Sequence, residues 1–438
     1  MYDPSSPHYF VYDRDNNGDG KRDPAYLAGV GGPEGFLFET DTRKQLIVNR
    51  LKSSAAFPNT PVNGIYFHAL RAFGGDGGSF ETPFNNDADP DSGLSPAKMA
   101  NWRGYLKQLD DAGIILWFNL MDDHAGPYGC RNDVKYAKYA KDIVNQFKDF
   151  KHLIWITQEE YRWNTAGGKP CSNAENDARQ SNLAIAIREA DPVHPIGTHQ
   201  MGDGVNNLRD DPIIRVFGQQ TSVNSPEAMH DTAGLLGWSG AKNWVYVMAE
   251  AAGWHLGLID SELRNGNGRT PMRRSHWATA MSGGSVMMYN SFECSNGGKL
   301  CNNGPTDSDP TDGILDDLRR LRLFMESTRF NEMTPLFDDK SNTALDKSKT
   351  ALSDVKTDGT KYILANQAAG LYILYGDLNT SKMGVRNAPA GNYELKWFDP
   401  VNGASVTQPS VAVPAGGLAS FIKPNGLGPE VAVYVRKL

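Results

Sequence analysis

The sequence predicts an α/β protein in which a (β/α)8 TIM barrel precedes a small antiparallel β-sandwich. In the first part of the chain, eight short apolar runs alternate with amphipathic helical segments. The runs are continuously apolar, which is typical of parallel strands covered on both faces. Beyond about Phe337, short strands broken by Gly, Pro and Asn follow one another with no helical pattern between them. We therefore expect a barrel over residues 1–335 and a sandwich over residues 336–438.

The elements follow from apolar runs and capping signals. The predicted barrel strands are Tyr26–Gly31, Gly64–Leu70, Ile114–Leu120, Leu153–Thr157, His194–His199, Ile213–Gly218, Trp244–Glu250 and Ser285–Asn290. The predicted helices are Thr42–Ser54, Ser95–Gly113, Asp133–Phe150, Asn176–Ala190 and Ile314–Met325. The second helix has Ser95 as N-cap and Pro96 at its first position, and Gly113 ends it. The sandwich strands are predicted in KYILAN, GLYILYG, NYELKWFDPVNG, LASFIK and VAVYVRK.

Charge and hydropathy exclude several classes of partner. A chain of 438 residues with a net charge of -7 has no basic surplus to neutralise phosphates, so we expect no nucleic acid partner. No apolar run approaches the roughly 20 residues that a membrane-spanning helix needs, so we expect no membrane span. The N-terminal MYDPSSPHYF lacks the pattern of a signal peptide. The chain is therefore either cytosolic or a mature form whose signal peptide has been removed.

The cysteines favour export. All four lie in polar surroundings rich in Gly, Asn and Pro, and none forms a C-x-x-C pair of the kind that binds metals. We predict two disulfides, Cys130–Cys171 and Cys294–Cys301; free thiols are the alternative. Disulfides persist in oxidising compartments, so the predicted localisation is secreted or periplasmic.

Polar residues that directly follow barrel strands should lie at the C-terminal mouth, where barrel active sites are found. Two Glu positions are the most informative, one after the fourth strand and one after the seventh. The predicted substrate-binding residues around them are His68, Arg71, Asp122, Asp123, Glu159, Tyr161, His199, Gln219, Trp254 and His255.

Two convergent carboxylates suit glycoside hydrolysis, in which one protonates the leaving oxygen and the other attacks the anomeric carbon. We assign Glu160 as acid/base and Glu250 as nucleophile. Glu159 is the rival for the first role, because adjacent strand residues point to opposite faces and the pair stands where its strand ends. For Glu250 the alternative is a helix cap or a salt bridge. Asp122 or Asp123 is an alternative site for an inverting base.

Four segments carry a family resemblance: WITQEEY, VMAEAAGWH, HWATAMSGGSVMMYN and NYELKWFDPVNG. They resemble the apiosidase-like glycoside hydrolases, whose barrel precedes a sandwich of the collagen-binding type. The resemblance covers nearly the whole chain. It implies an acid after the fourth strand and a Glu nucleophile after the seventh, in a retaining mechanism, which carries over to Glu160 and Glu250. This chain has Glu159 where the wider clan has Asn.

The stretch DRDNNGDGKRD has the spacing of a calcium loop. Its predicted ligands are Asp15, Asn17, Asp19, Lys21 and Asp23. Gly20 suits the sharp turn, but Tyr26 stands where a complete EF-hand loop has Glu. The alternative is an Asn- and Gly-rich turn between two strands. Because the loop precedes the first barrel strand, we expect a structural calcium site away from the mouth.

The sequence as a whole predicts a retaining glycoside hydrolase that acts on a plant or algal polysaccharide or its oligosaccharides. We predict structural calcium and no organic cofactor. One alternative is a carbohydrate-binding protein on an inactive barrel. Another is a polysaccharide lyase, for which His68, Arg71 and Tyr161 would supply the base and the neutralising charge.

Overall fold

The computed structural model describes residues 2–3, 6–15, 20–30, 35–52, 62–75, 77–122, 126–161, 171–201, 207–220, 225–231, 244–249, 269–288, 310–338, 351–414 and 418–438. An N-terminal antiparallel sheet contains β1 (Tyr2–Asp3), β2 (Ser6–Val11) and β3 (Pro24–Ala25). Phe10 and Ala25 of this sheet join the apolar cluster inside the barrel. Nδ1 of His8 lies 3.3 Å from the carbonyl oxygen of Trp244, just before a barrel strand begins. The sheet therefore closes the N-terminal end of the barrel.

Eight parallel strands form the closed barrel, and each overlaps one of the eight predicted strands. They are β4 (Ala28–Val30), β5 (Gly64–His68), β8 (Ile115–Asn119), β9 (Leu153–Ile156), β10 (Ile196–Met201), β11 (Val216–Gln220), β12 (Val245–Met248) and β13 (Ser285–Met288). A two-stranded hairpin, β6 (Phe84–Asn86) and β7 (Asp89–Leu94), lies in the connection from β5 to β8. Alternate strand residues such as Tyr66, Trp117 and Val247 fill the barrel interior.

Helices cover the outside of the barrel. They include α1 (Asp41–Leu51), α2 (Pro96–Asp111), α3 (Asp133–Phe147), α4 (Asn173–Ala190), α5 (Arg269–Met281) and α6 (Pro310–Glu326). The short α7 (Leu352–Val355) instead lies against the smaller sheet of the sandwich. The predicted cap of α2 is confirmed, because the Ser95 side chain accepts a hydrogen bond from the Lys98 amide. Helix α4 begins three residues before the predicted Asn176, because Ser172 and Glu175 form a reciprocal capping box.

The sandwich consists of two antiparallel sheets. The larger contains, in spatial order, β14 (Thr334–Pro335), β16 (Tyr362–Asn366), β17 (Leu371–Gly376), β22 (Val431–Lys437), β19 (Gly391–Phe398) and β20 (Ser405–Val413). The smaller contains β15 (Lys356–Asp358), β18 (Lys382–Arg386) and β21 (Leu418–Ile422). Because β14 pairs with β16, the last two residues of the first predicted domain belong to a sandwich sheet. The division at residue 335 stays a prediction.

Buried charges and aromatic rings join the sandwich to the barrel. Arg273 of α5 donates to the carboxylate of Glu430 at 2.8 and 2.9 Å and to Asp317 of α6 at 3.2 Å. Next to this cluster, the ring of Trp277 stacks on Tyr375 with centroids 5.1 Å apart. The sandwich therefore packs directly against two barrel helices.

One of the two predicted disulfides, Cys130–Cys171, is confirmed. It joins the segment before α3 to the segment before α4. Cys294 and Cys301 lie outside the described residues. Among the helices that the structure describes, none combines the length and the apolar character needed to cross a membrane.

Candidate active site

The C-terminal ends of neighbouring strands bring most of the described candidate residues together. His68 is the last residue of β5, Asp122 follows β8, and Glu159 follows β9. His199 lies in β10 and Gln219 in β11. All five side chains are buried. Together they form a polar mouth above the apolar barrel interior.

An irregularity at the end of β9 decides which carboxylate enters the mouth. The Thr157 amide donates to the Gly197 carbonyl at 3.0 Å, but the His199 amide then donates to Gln158 instead of Thr157, at 3.2 Å. An extra residue of this kind reverses the facing of the side chains that follow it. Gln158 consequently accepts hydrogen bonds from Arg179 and Gln180 of α4, at 2.9 and 2.8 Å. Glu159 turns toward the mouth.

The Glu159 carboxylate contacts two residues of β5. The Tyr66 hydroxyl donates a hydrogen bond to Oε1 of Glu159, and Nε2 of His68 lies 2.7 Å from Oε2. The sequence analysis did not select Tyr66, because it lies inside an apolar run. Tyr66 is two residues before His68, and residues two apart in a strand share a face. This spacing could have indicated that both side chains reach the mouth.

The Tyr66 hydroxyl also lies 3.0 Å from Nδ1 of His199. Burial lowers the pKa of His199 to about 4, although the Glu159 charge acts in the opposite direction, so the ring is neutral near pH 7. Tyr66 has one proton and donates it to Glu159. We therefore assign the His199 proton to Nδ1, from which it is donated to the Tyr66 oxygen. Nε2 then carries a lone pair, and it has no hydrogen-bond partner among the described residues.

Asp122 lies beside an arginine on the same side of the mouth. Nε of Arg71 donates to Oδ2 of Asp122 at 3.2 Å, and a second guanidinium nitrogen donates to Oε2 of Glu81 at 3.0 Å. Sequence reasoning selected Arg71 and Asp122 but not Glu81, which is ten residues from Arg71 in a loop without a strand signal.

Glu160 and Tyr161 complete the described part of the segment after β9. Glu160 is buried, and its backbone has a φ of 39°, in the left-handed region that is uncommon for residues other than glycine. The Tyr161 hydroxyl donates to Oε1 of Gln200 at 3.0 Å. Asp123, Glu250, Trp254 and His255 lie outside the described residues, so their predicted roles stay predictions.

His68, Asp122 and Glu159 form a compact group of possible metal ligands. One ligand atom from each lies within 4.8 Å of the other two. The three residues follow or end three neighbouring strands of the barrel. The mouth therefore contains two carboxylates and an imidazole at short range.

The predicted calcium loop lies at the opposite end of the barrel, in the connection from β2 to β3. The Gly20 amide donates to Oδ2 of Asp15 at 2.9 Å. Asp23 lies 3.6 Å from the Arg14 guanidinium. Lys21 is exposed, and Asn17 and Asp19 lie outside the described residues. Carboxylates suit a hard cation, and the position away from the mouth agrees with the expectation from sequence.

Searches by sequence leave the family open. No protein-family model matches the chain. No curated protein matches it either.

Comparison with solved structures identifies the fold. A glycoside hydrolase from Bacteroides vulgatus is 12% identical, with 100% of this chain and 84% of that one covered at a TM-score of 0.64. A glycoside hydrolase of family 5 from the same organism is 13% identical, with 100% and 94% covered at a TM-score of 0.66. At such identities the likeness establishes the fold alone. The chain is thus a (β/α)8 barrel followed by a β-sandwich, and the likeness extends over its whole length.

Proposed function

We propose that this protein is a retaining glycoside hydrolase that acts on a plant or algal polysaccharide or its oligosaccharides. The observation that carries the proposal is a buried acidic group at the C-terminal mouth of the barrel, where Glu159 lies beside Asp122 and Glu160 is the next residue in the chain. The names of the two similar structures support the reaction class. The apiosidase-like character and the collagen-binding type of the sandwich stay part of the proposal.

Glu160 is the proposed acid/base. Both oxygens of Glu159 face neighbours on β5, which commits that carboxylate to the network of Tyr66 and His68. Glu160 lies in a left-handed backbone conformation, and such strain clusters at functional sites. Glu159 is the alternative acid/base because its side chain turns toward the mouth.

The proposed reaction proceeds by double displacement. Glu160 protonates the glycosidic oxygen while Glu250 attacks the anomeric carbon to form a covalent glycosyl-enzyme. Glu160 then removes a proton from a water molecule that attacks the anomeric carbon. The bond to Glu250 breaks, Glu250 leaves as a carboxylate, and the sugar is released with its original anomeric configuration. Arg71, Asp122, Tyr161, His199 and Gln219 are the proposed partners of sugar hydroxyls, together with Trp254 and His255.

Two further proposals concern the whole protein. Asp15, Asn17, Asp19, Lys21 and Asp23 would bind structural calcium at the closed end of the barrel. The confirmed Cys130–Cys171 bridge supports a secreted or periplasmic location, because disulfides persist in oxidising compartments.

The test uses single Glu-to-Gln variants on a panel of plant and algal polysaccharides. Glu160→Gln and Glu250→Gln should each lose at least about 1,000-fold in kcat/KM, since each removes a catalytic group. Glu189→Gln, on the exposed face of α4, is the matched control and should keep full activity. Nuclear magnetic resonance of the first product should show retained anomeric configuration.

Other outcomes would redirect the assignment. Full activity of Glu160→Gln together with loss in Glu159→Gln would move the acid/base role to Glu159. Inverted product would exclude the double displacement and point to Asp122 or Asp123. Unsaturated uronates absorbing in the ultraviolet would indicate a lyase. Binding without cleavage by the wild-type protein on every substrate would indicate an inactive barrel.

A further inference from the structure

We infer that the barrel mouth binds a divalent metal ion through His68, Asp122 and Glu159. One nitrogen or oxygen atom from each of these residues lies within 4.8 Å of the other two. Each side chain is at least 95% buried. Three ligands from three adjacent strands form a rigid set, because the barrel fixes the strand ends relative to one another.

His68 supplies an independent indication of a ligand. Its side chain is fully buried, yet among the residues that the structure describes neither ring nitrogen has a partner with hydrogen-bond geometry. Nε2 nevertheless lies 2.7 Å from Oε2 of Glu159. A buried polar atom without a hydrogen bond is costly. A cation between the imidazole and the carboxylate would compensate both groups.

The neighbours of the two carboxylates are arranged as metal sites require. Tyr66 donates to Oε1 of Glu159, and Oε2 is the oxygen that faces His68. Arg71 donates to Oδ2 of Asp122. Such outer hydrogen bonds hold ligating carboxylates in orientation and are typical of metal centres.

The donor set indicates the class of ion. Imidazole with two carboxylates suits Zn²⁺ or Mn²⁺, whereas Ca²⁺ prefers oxygen ligands alone. Three protein ligands leave coordination positions open, as in catalytic zinc sites. Water or a pair of vicinal sugar hydroxyls fits these positions.

The inference stands apart from the proposed hydrolase, since metal binding is measured without substrate. It does constrain the mechanism. A Glu159 that binds a cation cannot also carry the catalytic proton, so Glu160 would be the proton donor of the proposed hydrolysis. The two ideas can therefore fail separately.

Zinc titration by calorimetry tests the site. The full chain is stripped with a chelator and kept in excess Ca²⁺, so that the N-terminal loop does not contribute. We expect one Zn²⁺ per chain in the wild type. His68→Gln and Asp122→Asn should each weaken zinc affinity at least about 10-fold. Residues that only orient metal ligands already cause losses of this size when replaced, so a ligand should cause no less.

Two control variants should bind zinc as the wild type does. His152→Gln removes a histidine outside the mouth. Its ring lies 3.0 Å from the Asp110 carboxylate and is half-buried. Glu160→Gln changes the neighbour of a ligand and leaves the ligand set intact. Retained zinc binding with lost hydrolysis in Glu160→Gln would support the inference and the proposed function together.

Two results would overturn the inference. One is no zinc or manganese binding by the wild type at millimolar metal. The other is equal zinc affinity in the wild type and in Asp122→Asn. This variant keeps the shape of the side chain, so it tests the site even if His68→Gln fails to fold. Hydrolysis by a chain that binds no metal would leave the proposed function standing alone.

Discussion

At the scale of single residues, adjacent carboxylates have acquired different environments. Glu159 faces Tyr66 and His68 in the mouth, whereas Glu160 carries the positive φ of the segment. A left-handed conformation costs a residue with a Cβ roughly 1–2 kcal/mol. A Glu at a position that favours glycine indicates that its side chain has a role there.

Replacing Glu160 by glycine should therefore stabilise the fold while abolishing hydrolysis. Glycine relieves the left-handed strain but adds chain entropy to the unfolded state. The net gain in the free energy of unfolding is up to about 1 kcal/mol. Glu159→Gly is the matched control and should destabilise, because Glu159 is absent from the positions with positive φ. Urea unfolding of both variants measures the difference. A loss of stability in Glu160→Gly as large as in Glu159→Gly would contradict the strain argument.

A second residue-scale prediction concerns His276 of α5. Burial lowers its pKa to about 3, with the Arg273 charge acting in the same direction. The unfolded chain therefore binds more protons than the folded one between pH 6.5 and pH 3, so this residue lowers stability as the pH falls through that range. Between pH 7 and pH 5 its share of the loss is about 2 kcal/mol.

The measurement is the unfolding free energy of the wild type and of His276→Phe at pH 7 and pH 5. The fall on acidification should be about 2 kcal/mol smaller in the variant, which cannot be protonated there. Equal falls would show that the folded protein protonates His276 as readily as the unfolded chain does, which would contradict the lowered pKa. Comparing falls within each protein removes the direct packing cost of the substitution.

At the scale of elements, the contact between α5 and the sandwich depends on a buried charge cluster. Arg273 and Glu430 have side chains only 4% and 3% exposed. Among the described residues, removing Glu430 leaves Arg273 with only Asp317 to balance its buried charge, and Arg274 also loses its 3.1 Å contact with Glu430.

Glu430→Ala should therefore destabilise the protein by about 3–5 kcal/mol. The matched control is Glu394→Ala, which removes an ion pair with Arg436 whose side chains are 32% and 42% exposed. A surface pair of that kind contributes about 1 kcal/mol or less. Thermal unfolding compares the two variants, and equal shifts in Tm would mean that the buried cluster does not join the sandwich to the barrel.

At the scale of the whole molecule, the Cys130–Cys171 disulfide ties together the starts of α3 and α4. It spans 41 residues of sequence. Both helices follow loops at the barrel mouth, because they come after β8 and β9. The bridge therefore restrains the side of the mouth to which Asp122 and Glu159 belong.

Replacing both of these cysteines by serine should lower the unfolding free energy by about 4 kcal/mol, the chain-entropy value for a loop of this length. The matched control replaces Cys294 and Cys301, whose predicted bridge closes a shorter loop with a value of about 2.5 kcal/mol. Denaturant unfolding measures both losses, and peptide mapping without reduction identifies the pairs. A Cys130 peptide linked to Cys294 or Cys301 would overturn the connectivity.

Local sequence signals account for most of the fold. Each predicted barrel strand overlaps an observed one, because a run of apolar side chains needs no distant partner to be recognised. The Ser95 cap was predictable for the same reason, since an N-cap bonds an amide three residues away. The order of strands then determined which polar residues reach the mouth.

The tertiary structure alone decided the facing of Gln158 and Glu159, because the extra residue after β9 is visible only in its bonds to β10. It also brought Tyr66 to the Glu159 carboxylate and to His199, which is 133 residues away in the sequence. The sequence by itself determined the barrel, its mouth and the candidate carboxylates, since these depend on periodicity along one chain. The environment of each carboxylate depends on contacts between strands distant in sequence, and no local pattern encodes those contacts.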